Sequence, residues 1–177
     1  MAGIISFDQS LFVFINSYHN IFFDWLFYLV SLIGEMGVVW IIIAILAAIL
    51  DRKNGKWIFL STTLALLLTV IIDDYVIKSF IFRVRPYLAL LDVHQMGIAW
   101  KSSSFPSGHA SATLAAVYFL IKYYPKWWLP LSIFTLLTLY SRPYLGMHYP
   151  FDVLAGAIVG LLSALIIDLI IKKVKKK

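Results

Sequence analysis

Three groups of polar residues interrupt an otherwise apolar chain, and each is suited to binding an anion. The first joins Lys78 to Arg85, which are seven residues apart, about two helical turns, and so share a helix face. Pro86 disfavours helical backbone at the residue before it and turns the chain. Cations at helix ends commonly extend to lipid headgroups, and Asp74 is spaced to pair with Lys78. The first group alone leaves a structural role open.

The second group is the tetrapeptide Pro106-Ser107-Gly108-His109. Proline is tolerated at a helix start because its missing N–H would have been unpaired there. The backbone N–H groups of Ser107 and Gly108 then lie at the positive end of the helix, and Gly108 has no side chain to obstruct an oxygen. The pattern predicts an anion-binding helix start beside His109, although it is also typical of an ordinary helix N-terminus.

The third group contains Ser141-Arg142, His148 and Asp152. Pro150 predicts another helix start, which puts Asp152 in the first turn, within reach of His148. A carboxylate hydrogen-bonded to one imidazole nitrogen fixes the tautomer and leaves the other nitrogen as a nucleophile. The alternative is that Asp152 only caps its helix.

Taken together, the three groups supply what phosphoryl transfer requires. The transferred group spreads its charge over three equatorial oxygens, so fixed cations and N–H donors stabilise it. Polar side chains in so apolar a chain usually mark function. Asp92 and Asp152 are too few and too far apart in sequence to predict a metal site, and the absence of cysteine excludes thiol catalysis. We therefore expect no cofactor and no metal ion.

The order, types and spacing of these residues resemble the complete signature of the type 2 phosphatidic acid phosphatase superfamily. The matching positions are Lys78-x6-Arg85-Pro86, Pro106-Ser107-Gly108-His109 and Ser141-Arg142-x5-His148-x3-Asp152. The resemblance implies that His148 is the nucleophile and forms a phosphohistidine, that Asp152 orients it, and that His109 protonates the leaving oxygen. It also implies a set of residues that hold the phosphate oxygens: Lys78, Arg85, Ser107, Gly108 and Arg142. Soluble vanadium haloperoxidases share the superfamily, but the apolar runs described next argue against that branch.

The composition is that of a membrane protein. The chain is 62% hydrophobic and 14% charged, whereas soluble domains carry about 25% charged residues. The net charge of +6 comes without a basic stripe interleaved with aromatics, so nucleic acid is not an expected partner. Five of the fifteen Lys and Arg residues lie in the segment 172–177, which predicts a basic cytoplasmic tail beside the membrane.

The apolar runs predict an all-α fold: one membrane-embedded domain, residues 1–177, with six transmembrane helices after an amphipathic interfacial segment, 1–20. The first two runs are short, and Gly34-Glu35-Met36-Gly37 separates them. Gly156 and Gly160, four residues apart, predict close approach of a neighbouring helix. The predicted spans are 21–33, 38–50, 57–77, 107–124, 127–140 and 151–171.

Positive charge predicts the topology. Ten Lys and Arg residues fall in the turns and tail on one predicted side, and five fall on the other. The positive-inside rule then places both termini in the cytoplasm and the polar groups on the extracytoplasmic face of the inner (plasma) membrane. The five residues on that face are Lys78, Arg83, Arg85, Lys101 and Arg142.

These inferences favour a lipid phosphatase, with the lipid bilayer and a lipid phosphate as partners. With an outward site and a small size, the chain resembles bacterial undecaprenyl diphosphate phosphatases, which implies undecaprenyl diphosphate as the leading substrate, with phosphatidylglycerophosphate and lipid A 1-phosphate as alternatives. Phosphotransfer to another acceptor also remains open, because a phosphohistidine can be attacked by sugar or lipid hydroxyls. A non-catalytic lipid-binding protein would be indicated by loss of His148, His109 or Asp152, and none is lost. The sequence makes no prediction of oligomeric state.

Overall fold

The predicted all-α class is confirmed. The computed structural model describes residues 2–34 and 37–176, and within them the chain is helical, at 78%, with no strand. Glu35 and Met36 of the predicted turn, and Lys177 of the predicted tail, lie outside the described residues. A π-helical segment, Ile71–Ile77, joins α4 to α5, and a 3₁₀ turn, Pro125–Trp127, precedes α8. The helices are α1 (Ala2–Ser17), α2 (Ile21–Ile33), α3 (Val38–Leu50), α4 (Gly55–Val70), α5 (Lys78–Phe80), α6 (Pro86–Ala89), α7 (Gly108–Tyr123), α8 (Trp128–Tyr144) and α9 (Pro150–Lys175).

The predicted count of six spans is not confirmed. Two helical stretches of 26 residues, Gly55–Phe80 and Pro150–Lys175, are long and apolar enough to cross a membrane. Helices α2 and α3, predicted as separate spans, reach that length only as a pair bent by 56°. Gly37 precedes α3 with a φ of 72°, a left-handed conformation that glycine adopts readily. Helices α7 and α8 have 16 and 17 residues, about 24–26 Å, short of the roughly 30 Å hydrocarbon core.

The core lies between α3, α4, α7 and α9. Helices α4 and α7 contribute to both of the principal clusters of buried apolar side chains, so they form the centre of the bundle. The cluster shared with α3 contains Trp40, Ile58, Leu66, Ala116, Val117 and Leu120. The cluster shared with α9 contains Ala65, Ala115, Phe119, Ala164, Ile167 and Ile171.

Two glycines of α9 allow this helix to pack directly on the backbone of α7, as predicted. A β-carbon at Gly160 would overlap the backbone of Ser111, and one at Gly156 would overlap the carbonyl oxygen of Ser107. The packing of α9 therefore fixes the position of the first turn of α7, where the second polar group lies.

Replacing Gly160 by alanine is expected to destabilise the fold by about 1–3 kcal/mol, because the added methyl group must push the two helices apart. The midpoint of thermal unfolding in detergent would fall accordingly. Gly3→Ala is the matched control, since no atom lies within 4 Å of a β-carbon there. An unchanged midpoint for Gly160→Ala would show that the helices can separate without cost.

One end of the bundle carries the basic turns and the tail. The Tyr124 hydroxyl donates to Asp51 at 2.9 Å, and Lys175 lies 4.6 Å from the Trp57 ring centroid. Lys172 pairs with Asp168 at 3.0 Å. The basic segments that the charge count assigned to one side of the membrane therefore do lie together, at the end where α7 and α9 finish.

Helix α1 lies at the other end, where α7 and α9 begin. The side-chain amide of Asn16 donates to the carbonyl oxygens of Tyr144 and His94, both at 2.8 Å, and the backbone N–H of Asn20 donates to the Tyr144 hydroxyl at 3.2 Å. The sequence predicted both termini on one side of the membrane. In the structure, α1 and the carboxyl-terminal end of α9 lie at opposite ends of the bundle, and the bent pair α2–α3 runs between this end and Asp51.

Candidate active site

A cavity of about 400 Å³ lies at the end of the bundle where α7 and α9 begin. It brings together residues from all three polar groups, which are separated by up to 70 positions in the sequence. Among the predicted site residues, those that line it are Lys78, Arg85, Gly108, His109, Arg142 and His148. Ser107 and Asp152 are fully buried next to Gly108 and His148.

His148 lies in the loop between α8 and α9 and is 3% exposed. Its Nδ1 is 2.7 Å from the carbonyl oxygen of Ser104. A carbonyl can only accept, so Nδ1 carries the proton and donates it. The other nitrogen, Nε2, is 3.3 Å from Nη1 of Arg85, which lines the cavity. The ring is therefore held with the lone pair of Nε2 on the cavity side.

The environment of His148 keeps this imidazole neutral. Burial lowers its pKa well below the ordinary value, and the positive charges of Arg142 and Arg85 and the proximity of His109 lower it further. The hydrogen bond to Ser104 opposes the shift but does not reverse it. A neutral ring whose Nε2 carries no proton is the form in which histidine acts as a nucleophile.

Asp152 lies beside His148 but does not make the direct hydrogen bond that the sequence predicted. Its Oδ2 is 3.9 Å from His148 Nδ1, beyond hydrogen-bond distance, and instead accepts the backbone N–H of Tyr149 at 2.9 Å. Its Oδ1 accepts from Arg83 at 2.6 Å. Asp152 therefore caps α9 and faces His148 at the same time, while the Ser104 carbonyl fixes the tautomer.

Arg85 is held by the backbone of the loop before α7. Its Nε donates to the carbonyl oxygen of Ser102 at 3.0 Å, and its Nη2 to the hydroxyl of Ser102 at 3.2 Å. Helix α5 ends at Phe80, so Lys78 and Arg85 reach the cavity from a helix and from an extended segment, rather than from one helical face. The guanidinium is preorganised before any substrate binds.

The other two cations reach the cavity from different helices. Arg142, near the end of α8, is buried and donates to the hydroxyl of Ser31 in α2. Lys78 pairs with Asp74 at 2.7 Å, as its spacing predicted. Among the residues that the structure describes, no three His, Asp or Glu side chains are grouped to hold a metal ion. Lys78, Arg85 and Arg142 are the cationic side chains that line the described part of the cavity.

The start of α7 provides part of the predicted anion-binding site. The backbone N–H of Ser107 donates to the carbonyl oxygen of Asp152 at 3.0 Å, so it is not directed at the cavity as expected. Gly108 does line the cavity. The buried hydroxyl of Ser107 has no hydrogen-bond partner among the described residues, and its role as a phosphate donor stays a prediction.

Three contributors to the site were not predicted from the sequence. Arg83 was predicted only as a cation on the site side, and Asp8 lies in the amphipathic segment 1–20, to which no site residue was assigned. They pair with each other at 2.7 Å across 75 residues, which no local spacing reveals. The third is the carbonyl oxygen of Ser104, and backbone acceptors carry no residue-type signal.

Comparison with known proteins identifies the family of the chain. The family model described as the PAP2 superfamily matches residues 55–176. The chain is 33% identical over 167 residues to a lipid A 4'-phosphatase of Bacteroides thetaiotaomicron, covering 86% of this chain and 72% of that protein. It is 29% identical over 157 residues to an undecaprenyl-diphosphatase of Sulfolobus acidocaldarius, covering 88% and 74%.

A solved structure shares the fold. The crystal structure of Aquifex aeolicus LpxE superimposes with a TM-score of 0.76 at 28% sequence identity, covering 89% of this chain and 92% of that one. The bundle and the relative positions of its helices are therefore shared with a protein solved by experiment.

Proposed function

The chain belongs to the PAP2 superfamily, in its branch of membrane lipid phosphatases, and we propose that it transfers the phosphoryl group of a lipid first to His148 and then to water, without a metal ion. The observation that carries the proposal is the placement of His148 Nε2: a neutral ring nitrogen on the cavity side, 3.3 Å from Arg85. A nucleophile next to fixed cations is what phosphoryl transfer requires.

In the first step the lone pair of Nε2 forms a bond to phosphorus, and the bond between phosphorus and the leaving oxygen breaks. His109, at the start of α7, gives its proton to that oxygen, so the lipid alcohol or phosphate leaves without developing a full negative charge. Lys78, Arg85 and Arg142 stabilise the charge on the equatorial oxygens. The Ser104 carbonyl shares the positive charge that develops on the His148 ring through Nδ1–H.

In the second step water attacks the phosphorus of the phosphohistidine, and the N–P bond breaks. The His109 ring, now neutral, takes a proton from the attacking water. Phosphate leaves, His148 regains its lone pair and His109 its proton, so the protein returns to its starting state. A hydroxyl of another lipid or sugar in place of water would give the phosphotransfer alternative.

A lipid substrate is supported by the walls of the cavity. Beyond the cations, the cavity continues between α3, α4 and α7 and is lined by apolar side chains, Ile41, Leu66, Leu67, Val70 and Ala112. A charged headgroup at the cations with a hydrocarbon chain along these residues matches that arrangement. Undecaprenyl diphosphate remains the leading substrate from the sequence, with lipid A phosphates and phosphatidylglycerophosphate as alternatives.

The test is a panel of lipids with the full chain purified in detergent, measuring released phosphate. The panel holds undecaprenyl diphosphate, phosphatidylglycerophosphate and lipid A, with dioctanoyl phosphatidic acid as a soluble phosphomonoester. We expect phosphate release in the presence of chelator and inhibition by vanadate, which mimics five-coordinate phosphorus. No release from any lipid would contradict the proposal. Loss of activity in chelator with recovery in magnesium would contradict the metal-free mechanism.

We further propose that the site end of the bundle faces the extracytoplasmic side and the basic end the cytoplasm, because ten Lys and Arg residues against five favour that orientation. In this arrangement the bent pair α2–α3 crosses the membrane once. Helix α1 then lies on the extracytoplasmic side with the site, and of the two termini only the carboxyl terminus is cytoplasmic. This proposal differs from the sequence prediction, which placed the amino terminus in the cytoplasm.

Single cysteines test this topology without background, since the chain has none. A membrane-impermeant thiol reagent added to intact cells is expected to label Lys101→Cys and Ser17→Cys, both exposed at the site end, Ser17 being the last residue of α1. Lys56→Cys, at the basic end, should react only after the membrane is opened. The opposite pattern would place the site in the cytoplasm. Labelling of Lys101→Cys without Ser17→Cys would contradict the position of α1.

A further inference from the structure

Arg83 joins two buried carboxylates from opposite ends of the chain. Its Nη1 donates to Asp152 at 2.6 Å, and its Nη2 donates to Asp8 at 2.7 Å. The guanidinium also lies over the Tyr149 ring, 3.9 Å from the centroid. Burial alone would lower the pKa of Arg83, but the charges of Asp152 and Asp8 raise it above its usual value. Arg83 is therefore permanently charged and held on three sides.

Asp8 binds the start of α9 as well as Arg83. Its Oδ1 accepts the backbone N–H of Phe151 at 2.9 Å, and Phe151 is adjacent to Asp152 in the first turn of that helix. Asp8 is 1% exposed, so both of its oxygens are used inside the protein. A residue of α1 thus contacts the backbone and the cation that surround Asp152.

Helix α1 turns a face of two polar residues and one aromatic residue toward the bundle. Its buried residues are Asp8, Phe12 and Asn16, at helical spacing of four, whereas Ile4 and Phe14 are 63% and 61% exposed. A helix with large apolar side chains pointing outward suits contact with lipid. In lipid the hydrophobic effect does not drive helices together, so polar contacts and close packing must do so.

Arg83 does not touch the substrate cavity. It lines a separate cavity with Asp8 and Tyr149, whereas His148 lines the substrate cavity. We propose that Arg83 is a positioning residue for Asp152 and that Asp8 holds Arg83 in place, so that helix α1 supports the active site. This inference rests on the proposed role of His148.

The physical reason is charge balance around His148. The charged and titratable groups that face the His148–Asp152 pair are Arg85, Arg142 and His109 on the cavity side, and Arg83, Tyr149 and Asp8 on the other. Asp152, 3.9 Å from His148, has its charge offset by Arg83. Without Arg83, the Asp152 carboxylate would stabilise a protonated His148 and so raise the pKa of that ring. As the pH falls, the neutral, nucleophilic form would then be lost at a higher pH than in the wild type.

The test uses the full chain with Arg83→Gln and Arg83→Lys and dioctanoyl phosphatidic acid as the probe. For Arg83→Gln we expect kcat to fall about 10- to 100-fold, because a small displacement of the reacting groups is costly. KM should stay within about twofold, since substrate contacts remain. The acid limb of kcat/KM should move to higher pH. Arg83→Lys keeps the charge but lacks the planar fork of the guanidinium, so its kcat should lie between those of the wild type and Arg83→Gln.

Asp8→Asn tests the contribution of α1. The amide keeps the size but removes the charge that holds Arg83, so kcat should fall with KM unchanged. The acid limb should not rise, because Arg83 still faces Asp152. Asp92→Asn is the matched control: Asp92 is exposed, and its φ of 56° suits asparagine. It should keep wild-type kcat.

A readout independent of turnover is the titration of the His148 ring, followed by NMR of ¹⁵N-histidine-labelled enzyme and assigned with His148→Asn. Arg83→Gln should raise the pKa of His148. A folded Arg83→Gln enzyme with wild-type kcat and an unmoved His148 titration would overturn the inference while leaving the phosphatase proposal intact. If Arg83→Gln does not fold, wild-type kcat and an unmoved His148 titration in both Arg83→Lys and Asp8→Asn would overturn the inference. Wild-type kcat in Asp8→Asn alone would show that helix α1 does not support the active site.

Discussion

Replacing His148 by alanine is expected to abolish phosphate release, lowering kcat by at least about 10⁴-fold, as removal of a covalent nucleophile does in other enzymes. The reason is that Nε2 of His148 is the ring nitrogen placed next to Arg85, at 3.3 Å, and no bond to phosphorus can form without it. The measurement is phosphate release from the lipid panel and from p-nitrophenyl phosphate. The loss should be the same for both kinds of substrate.

Two other histidines sharpen the assignment. His109→Ala should reduce activity strongly with lipids and weakly with p-nitrophenyl phosphate, whose leaving oxygen needs little protonation. His19→Ala is the matched control, since His19 is exposed at the same end of the bundle and stacks on His94 with ring centroids 4.2 Å apart, outside the cavity. It should retain activity within about twofold.

A phosphoenzyme should be detectable in the wild type. A phosphohistidine is stable in alkali, so mass spectrometry of peptides prepared at high pH should locate phosphate on His148. Near-normal turnover in His148→Ala, or phosphate on another residue of an active enzyme, would show that the mechanism is wrong. An inactive His148→Ala that also fails to fold would be recognised from its thermal unfolding.

The meeting of the three polar groups could be predicted from sequence because each sits beside a helix boundary that proline marks. Pro106 and Pro150 indicate where helices begin, Pro86 indicates where a helix must end, and the apolar runs bring those boundaries to one end. The close packing at Gly156 and Gly160 was predictable for a similar reason: small residues four apart leave one side of a helix open to a neighbour.

The other features of the site depend on contacts that cannot be predicted from residue types. His148 donates to the Ser104 carbonyl, and the Ser107 N–H donates to the Asp152 carbonyl. Both hydrogen bonds use backbone atoms, so the spacing of side chains does not predict them. The ion pairs of Arg83 link residues 75 and 69 positions apart. The sequence does not distinguish one bent span from two spans at α2–α3, because a glycine-rich break has the same signature whether it ends a span or bends one.

Replacing Arg85 by alanine is expected to lower kcat/KM by about 10²- to 10³-fold, as loss of a single transition-state donor does. Arg85 is 5% exposed and is fixed by the carbonyl and hydroxyl of Ser102, so its charge is directed before substrate arrives. Its removal takes away a cation beside the phosphate. It also takes away a charge that lowers the pKa of His148, so the acid limb of kcat/KM should move to higher pH.

Arg85→Lys separates charge from geometry in this test. A lysine ammonium has one centre and cannot hold the Ser102 groups and a phosphate oxygen in the planar arrangement of a guanidinium. We therefore expect it to recover only part of the loss. Arg52→Ala, an exposed arginine at the basic end, is the matched control and should be neutral. If folded Arg85→Ala, checked by thermal unfolding, stays within about threefold of wild type, Arg85 does not stabilise the transferring phosphoryl group, and Lys78 and Arg142 must carry that charge between them.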